Sequence, residues 1–145
     1  MAKSDEYNIL GQRIGFSLKN WKEAGVLPRV PIIGKSCRLE PIQLMLHGPQ
    51  LYENFSLEQE GSSWTFLSYG PFRNYQDFVN WLETSCLGDD PLFFAVIDLS
   101  NNVALGVLSL MNIKTTIGVI ELGHVHFSKR LRGTTLSTEV IYLII

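Results

Sequence analysis

The sequence has few cysteines, little net charge and no long apolar run, and each shortage excludes a class of protein. Only two residues are cysteines, Cys37 and Cys86, and they lie too far apart to be a close-spaced metal or redox pair. We therefore expect two reduced thiols, a cytoplasmic protein and no bound metal. The N-terminus lacks the apolar core of a secretory signal, and no apolar stretch is long enough to cross a bilayer, so we expect no membrane partner.

The charge balance argues against nucleic acid as a partner. The formal net charge is −2 and charged residues make up 18% of the chain, so no basic field covers the molecule. Any site for an anion must come from a local cluster of basic residues. The 145 residues, 46% of them hydrophobic, suit one globular domain with a core of its own.

The apolar pattern predicts an α/β domain. Residues 1–34 are rich in glycine and proline and are interpreted as an N-terminal arm that packs on a domain of residues 35–145. A short strand comes next, then a helix, "IQLMLHGPQLYENF", that is expected to break near Gly48-Pro49, and then an aromatic loop, "SLEQEGSSWTFLSYGPF". The clearest helix, "NYQDFVNWLETSCL", has Asn74 as its N-cap.

Three strands and a final helix are predicted in the rest of the chain. The runs "LFFAVIDL" and "VALGVLSLM" flank a Ser-Asn-Asn turn, which predicts a β-hairpin. In the third strand, "GVIELGHVHF", the alternation of apolar residues changes phase at Gly123-His124. One extra residue would account for this change, so a β-bulge is predicted there. "TTLSTEVIYLII" then has the spacing of an amphipathic helix.

A cluster of basic residues follows the third strand and precedes the last helix. Lys129, Arg130 and Arg132 crowd around Gly133 in "SKRLRG". The free N–H groups and dipole of a helix N-terminus favour an anion, and a glycine lets the backbone approach it closely. The loop is therefore a candidate phosphate site. A solvated basic connection is the alternative, because one glycine among arginines is a weak motif.

The same stretch resembles a known family signature. Arg130-Leu131-Arg132-Gly133-Thr134-Thr135 resembles the Arg/Gln-x-x-Gly-x-Gly/Ala motif of the GNAT acyltransferases, although Thr135 departs from the final Gly/Ala. The segments "GQRIG…NW", "CRLEP", "WTFLSYGPF", "DPLFFAVID" and "IELGHVHFSKRLRGTTLSTE" resemble the RimJ/RimL-like branch, in order and over nearly the whole chain. The resemblance implies the GNAT fold: a mixed, mainly antiparallel sheet flanked by helices.

The resemblance also implies a reaction, the transfer of an acetyl group from acetyl-CoA, as co-substrate, to an amine. The acceptor would be a protein N-terminus or a small amine. The pantetheine arm would pair with the backbone of Val125, His126 and Phe127, and a strand N–H group would polarise the thioester carbonyl. The pyrophosphate would rest on backbone N–H groups of the basic loop: Arg130, Leu131, Arg132, Gly133, Thr134 and Thr135.

Proton transfer from the amine needs a base, and Glu121, before the predicted bulge, is the candidate. An ordinary polar position on a half-exposed strand explains Glu121 equally well. His124 and His126 are expected to be strand-surface residues rather than bases, and His47 a structural residue. Four aromatic residues of "WTFLSYGPF" are expected to wall the acceptor cleft or to form a lid over the core: Trp64, Phe66, Tyr69 and Phe72.

Members of the family continue after this last helix with further strands, and the acid that protonates the departing thiolate comes from that part. The resemblance therefore implies a chain truncated at its C-terminus, without those strands and with the acid beyond residue 145. An open sheet edge would then favour self-association. Two other interpretations stay open: a non-catalytic remnant that binds CoA or a partner chain, and an interaction domain without a nucleotide ligand.

Overall fold

Seven strands and three helices build the part of the chain that the computed structural model describes, residues 5–58 and 60–145. The strands are β1 (Glu6–Tyr7), β2 (Arg13–Ile14), β3 (Ile32–Ile33), β4 (Cys37–Pro41), β5 (Leu92–Asp98), β6 (Val103–Lys114) and β7 (Val119–Phe127). The helices are α1 (Leu44–Phe55), α2 (Tyr75–Trp81), which continues as a π-helical turn over Leu82–Cys86, and α3 (Thr135–Ile144). The predicted α/β class is confirmed.

The five strands β3 to β7 form one antiparallel sheet in the order of the chain, and β1 pairs with β2 separately. Each strand of the large sheet pairs with the next one along the chain. The central strand β5 is buried over Leu92–Ile97. β7 forms one edge of the sheet, and the basic loop and α3 follow it directly.

Two apolar layers cover the sheet, one on each face. On the first, which we call the α1/α2 face, Leu51 and Phe78 pack with Phe93 of β5. On the second, the α3 face, Val140 packs with Phe94 of β5. Neighbouring residues of β5 belong to opposite layers because strand side chains alternate.

Helix α1 is continuous, so the expected break at Gly48-Pro49 is wrong. Pro49 lacks an N–H group and therefore costs the helix one hydrogen bond, but it lies near the start of α1 and its side chain is exposed. The first turn is fixed by His47, whose Nδ1 accepts from the N–H of Gln43 at 3.1 Å and whose Nε2 lies 3.0 Å from Glu40. These two contacts give the buried His47 a structural role.

The predicted hairpin and the predicted cap of α2 are both confirmed. β5 and β6 pair directly across a short turn that contains Asn102 with a φ of 59°. At α2, the side chain of Asn74 accepts a hydrogen bond from the N–H of Asp77 at 2.9 Å. The cap places Phe78 one turn later, at the centre of the α1/α2 face, where it is 0% exposed.

The N-terminal segment is attached to the turn between β6 and β7. The indole N–H of Trp21 donates to the carbonyl oxygen of Thr116 at 2.7 Å, and the N–H of Ala24 donates to the carbonyl oxygen of Thr115 at 3.0 Å. Gly118 has a φ of 64° and no side chain, which leaves room for the Trp21 ring against it. These contacts do not define a domain boundary, so the boundary after residue 34 stays a prediction.

Replacing Asn74 by alanine tests how strongly the α2 cap stabilises the fold. The Asn74→Ala change should lower the free energy of unfolding by about 1 kcal/mol, because the Asp77 N–H group loses its acceptor. Urea unfolding measures the effect. Asn74→Asp is the matched control and should stay close to wild type, since its carboxylate can accept the same hydrogen bond. Equal losses in both variants would contradict the capping role.

Candidate functional site

β7 carries a bulge at the place where its sequence pattern predicts one. Val107 of β6 pairs with His126 and Ser109 pairs with Gly123, so two steps along β6 face three along β7. His124 has a φ of 51°, in the left-handed region that residues other than glycine rarely adopt. The bulge lies in the edge strand, whose outer side faces no other strand within the described residues.

His126 points into the α1/α2 face, so the expectation of a strand-surface residue is wrong. Its side chain is 3% exposed and stacks on Trp64 with ring centroids 3.6 Å apart, and the ring of Phe55 meets it edge-on at 4.4 Å. The bulge causes this placement, because one extra residue moves the following side chains to the other face. Burial, assisted by the charge of Arg132, lowers the pKa of His126 from 6.5 to about 4.

His124 also turns toward the α1/α2 face, although it is only half-buried, unlike His126. Its Nδ1 atom lies 3.2 Å from the hydroxyl oxygen of Tyr69. Its ring stacks on Tyr69, with a centroid distance of 5.6 Å, and tilts against Phe93 at 5.0 Å. Burial lowers the pKa of His124, and the carboxylate of Glu121 opposes that shift. His124 is therefore half-buried and neutral near neutral pH.

Three of the four aromatic residues predicted for the acceptor side form one cluster. The ring centroid of Trp64 lies 6.1 Å from that of Tyr69 and 5.4 Å from that of Phe72. Phe66 does not join them, since its side chain is 99% exposed. A cavity of about 290 Å³ opens beside the cluster, lined by Tyr52, Phe55, Glu58, Trp64, Phe72 and Phe78. The cluster therefore has the position of a lid and also walls a cavity.

Glu121, the candidate base, lies on β7 before the bulge and is exposed. Its carboxylate accepts a hydrogen bond from the side-chain amide of Asn112. Glu121 is also close enough to His124 for its negative charge to act on the imidazole. Both groups therefore belong to the same stretch of β7, with Glu121 before the bulge and His124 at it.

The basic loop offers some, but not all, of the backbone N–H groups that the sequence analysis assigned to an anion. Leu131 and Arg132 both donate to the carbonyl oxygen of Ser128 at 3.0 Å, and Thr134 donates to the carbonyl oxygen of Leu131 at 3.4 Å. Within residues 5–58 and 60–145, the N–H groups without an acceptor in this loop include those of Arg130, Gly133 and Thr135.

Gly133 and Thr134 shape the start of α3. Gly133 has a φ of 71°, and the space where a Cβ would stand is open, so its backbone can be approached from outside. Thr134 is the N-cap, and its Oγ1 atom accepts from the N–H of Ser137 at 3.2 Å. Leu131 anchors the loop, since it is 0% exposed and packs on the α3 face.

The two arginines of the loop differ in whether they form an ion pair with a described residue. Arg130 is exposed and makes no ion pair with any described residue. Arg132 forms an ion pair with Glu58, at the end of the segment that follows α1. The Glu58 carboxylate also accepts from the hydroxyl of Ser62 at 2.7 Å and the N–H of Ser63 at 3.1 Å. Arg132 therefore ties the basic loop to the aromatic loop.

A groove of about 570 Å³ runs from the end of β7 along α3. It is mostly apolar, and its lining combines the basic loop with one side of the helix: Phe127, Arg132, Gly133, Ser137, Ile141 and Tyr142. Val125, on the side of β7 away from His124, is 39% exposed. Of the residues predicted to contact acetyl-CoA, Phe127, Arg132 and Gly133 meet in this groove, while the His126 side chain lies on the opposite face.

The described residues carry no sign of a metal site or a membrane segment. Among residues 5–58 and 60–145, no three His, Cys, Asp or Glu side chains are arranged to hold a metal ion. No helix in the same part of the chain is long and apolar enough to cross a bilayer. Cys37 and Cys86 are both buried free thiols.

Sequence reasoning missed the partners that reach the site from distant elements. Glu58 is the partner of Arg132, Phe55 and Phe93 pack against the two histidines, and Asn112 binds Glu121. These pairs join residues that are far apart in the chain or lie on different strands. No local pattern in the sequence could have indicated them.

The fold is close to that of solved acetyltransferase structures. A GCN5-related N-acetyltransferase (GNAT) from Brucella melitensis matches with a TM-score of 0.84 and 33% identity, over 88% of this chain and 57% of that protein. A protein from Chromobacterium violaceum classed as a GNAT acetyltransferase matches with a TM-score of 0.80 and 34% identity, over 90% of this chain and 65% of that protein. The predicted GNAT-like fold is thereby confirmed. The chain spans less than two thirds of the length of either neighbour.

A more distant match extends the same fold. A Vibrio cholerae protein assigned as a ribosomal-protein-serine acetyltransferase has a TM-score of 0.63 over 79% of this chain and 63% of that protein. Its sequence identity of 14% limits the likeness to the fold. A scan against models of protein families finds no match to the sequence, and a search of curated proteins finds none either.

The burial of His126 predicts a loss of stability in mild acid. Its folded pKa of about 4 lies below the ordinary 6.5, so the unfolded chain binds the proton more readily and stability is lost as the pH falls from 6.5 toward 4. Between pH 7 and pH 5 the loss from this group should be on the order of 2 kcal/mol. Urea unfolding at the two pH values measures it.

His126→Phe is the matched control for this prediction, because phenylalanine keeps an aromatic ring against Trp64 without a titrating group. The variant should lose less stability than wild type between pH 7 and pH 5. Part of the loss should persist, since burial also lowers the pKa values of His47 and His124. An undiminished loss in the variant would show that His126 does not sense the acid.

Proposed function

We propose that this chain belongs to the RimJ/RimL-like branch of the GNAT acetyltransferases and takes part in transferring an acetyl group from acetyl-CoA to an amine. The observation that carries the proposal is the junction of three features at one edge of the sheet: a bulged edge strand, a basic loop with free N–H groups, and an apolar groove along α3. The two neighbours that are 33% and 34% identical are both assigned to the GNAT acetyltransferases.

Each of the three features suits one part of acetyl-CoA. The open side of β7 offers backbone groups to the amides of a pantetheine arm, near Val125, His126 and Phe127. The N–H groups of Gly133 and Thr135, together with the positive end of α3, suit the pyrophosphate. Arg130 adds a charge that is not engaged elsewhere among the described residues.

The acceptor would approach from the α1/α2 face. The aromatic cluster of Trp64, Tyr69 and Phe72 walls that side of the bulge, and Glu121 and His124 lie beside it. An α-amino group is the chemically favoured acceptor, because its pKa of roughly 7.7–8.0 leaves part of it neutral and nucleophilic at pH 7. We therefore propose a protein N-terminus or a small amine as the acceptor. The two free thiols are the basis for proposing a cytoplasmic location.

Binding of acetyl-CoA by calorimetry tests the proposed cradle. Arg130→Ala should weaken binding by about tenfold, or ~1.4 kcal/mol, because an unpaired cation beside the pyrophosphate is removed. Arg132→Ala should cost less, because Arg132 already pairs with Glu58 and would have to leave that partner. Lys114→Ala is the charge-matched control on the end of β6 and should bind like wild type.

The pattern of results separates the alternatives. Equal binding by all four proteins would place the phosphates elsewhere and contradict the cradle. Turnover is then measured with acetyl-CoA and a panel of free-N-terminal peptides and small amines, by release of the CoA thiol. Binding without turnover by any acceptor would favour the non-catalytic interpretation, and absence of binding by a folded chain would favour an interaction domain.

A further inference from the structure

The imidazole of His124 is held in an unusual position. His124 is the residue at the bulge, and its φ of 51° lies in the left-handed region, which is uncommon for any residue other than glycine. Such a conformation persists where surrounding contacts fix it, and sparsely populated conformations are concentrated at functional sites. Here the contacts are the hydroxyl of Tyr69, at 3.2 Å from Nδ1, and the ring of Phe93. Within the described residues, the other ring nitrogen, Nε2, has no partner.

The groups around His124 leave it the best-placed proton acceptor. On its own strand, Glu121 is the charged neighbour. The aromatic loop contributes Tyr69, whose hydroxyl pKa burial raises well above its ordinary range. Cys86, in the turn after α2, acts on Tyr69, and burial raises the pKa of its thiol as well. Both of those groups therefore keep their protons at neutral pH. The side chain that β5 contributes, Phe93, has no charge.

A second polar atom at this corner also lacks a partner. The side chain of Ser109 is 0% exposed, and its hydroxyl has no hydrogen-bond partner among the described residues. Ser109 pairs with Gly123 across the strands, and its Oγ atom lies 3.8 Å from the position that a Cβ of Gly123 would take. Buried hydroxyls are nearly always hydrogen-bonded, so this one still has hydrogen-bonding capacity beside the bulge.

We propose that His124 is the catalytic base of the acetyl transfer, that Tyr69 is the positioning residue that fixes its tautomer, and that Glu121 acts through His124. This rests on the proposed function. In this arrangement Nδ1–H donates to the Tyr69 oxygen, and Nε2 faces the acceptor amine. The carboxylate of Glu121, held by Asn112, favours the imidazolium that forms when the base takes up a proton.

The ammonium form of the acceptor gives one proton to Nε2 of His124, and the neutral amine attacks the thioester carbonyl carbon. A C–N bond forms, the tetrahedral intermediate collapses, and the C–S bond breaks to release the CoA thiolate. The nitrogen loses its second proton, and the thiolate gains one. The net products are the acetylated amine, CoA thiol and one proton, which His124 returns to solvent.

His124→Asn tests the proposal with little disturbance of the backbone. Asparagine tolerates a positive φ, and its amide can still meet the Tyr69 hydroxyl, but it cannot take up a proton at neutral pH. With acetyl-CoA and a peptide that has a free N-terminal serine, kcat/KM should fall at least 100-fold. The affinity for acetyl-CoA should stay within threefold of wild type.

The pH profile of kcat/KM separates a base from a structural residue. In wild type, kcat/KM should rise with pH as His124 loses its proton. This limb of the profile should lie at the same pH for two acceptors whose amine pKa values differ. It should be absent in His124→Asn. Glu121→Gln should keep the limb and move it to lower pH. The Glu121 carboxylate raises the pKa of His124 in wild type, and the variant lacks that charge. Tyr69→Phe keeps the ring stack and should lower kcat/KM several-fold with the limb retained.

Three results would overturn the proposal in distinguishable ways. If wild type turns over and His124→Asn keeps its kcat/KM within threefold, His124 is not the base, and the proposed function is unaffected. A shared limb that Glu121→Gln abolishes and His124→Asn keeps would assign the base to Glu121. Absence of turnover by wild type with all acceptors would overturn the base and the proposed function together.

Discussion

The single extra residue in β7 is the constraint on which both sides of the site depend. In a regular strand, side chains two positions apart share a face, so His124 and His126 would follow Leu122 onto the α3 face. The bulge reverses the assignment: His126 packs on Trp64, and Phe127 joins the α3 face in its place. One local irregularity thus puts the imidazoles beside the aromatic loop and an apolar ring beside the groove.

The ion pair between Glu58 and Arg132 joins these two sides. It links the aromatic loop to the basic loop before α3, and both partners act electrostatically on the ring of His126. Burial and the Arg132 charge together keep His126 neutral near neutral pH. The positive charge of this region therefore stays on the exposed loop, where it can meet an anion, and does not extend into the aromatic core.

Local patterns in the sequence predicted the three helices, the strands from β4 onward and the bulge, but not the short strands β1 to β3. They could do so because turn residues, caps and side-chain alternation are properties of neighbouring residues. The cap at Asn74 and the phase change at Gly123-His124 are examples. The sequence-based predictions failed where tertiary contacts determine the local structure. Pro49 was expected to break α1, but contacts of His47 with Gln43 and Glu40 secure the turn before it. His126 was misplaced because its partners come from α1 and the aromatic loop.

The bulge also decides how two substrates could meet. A ligand along the open side of β7 would have the groove of α3 on one side and the aromatic cluster on the other side. Phe127 and Gly133 line the first, and Tyr69 and His124 border the second. A reactive group at the bulge would be close to both, because the bulge interrupts the pairing of β7 with β6 between these two sets of residues. An amine and a thioester bound on opposite faces would therefore meet at that point, which is where the proposed base, His124, lies.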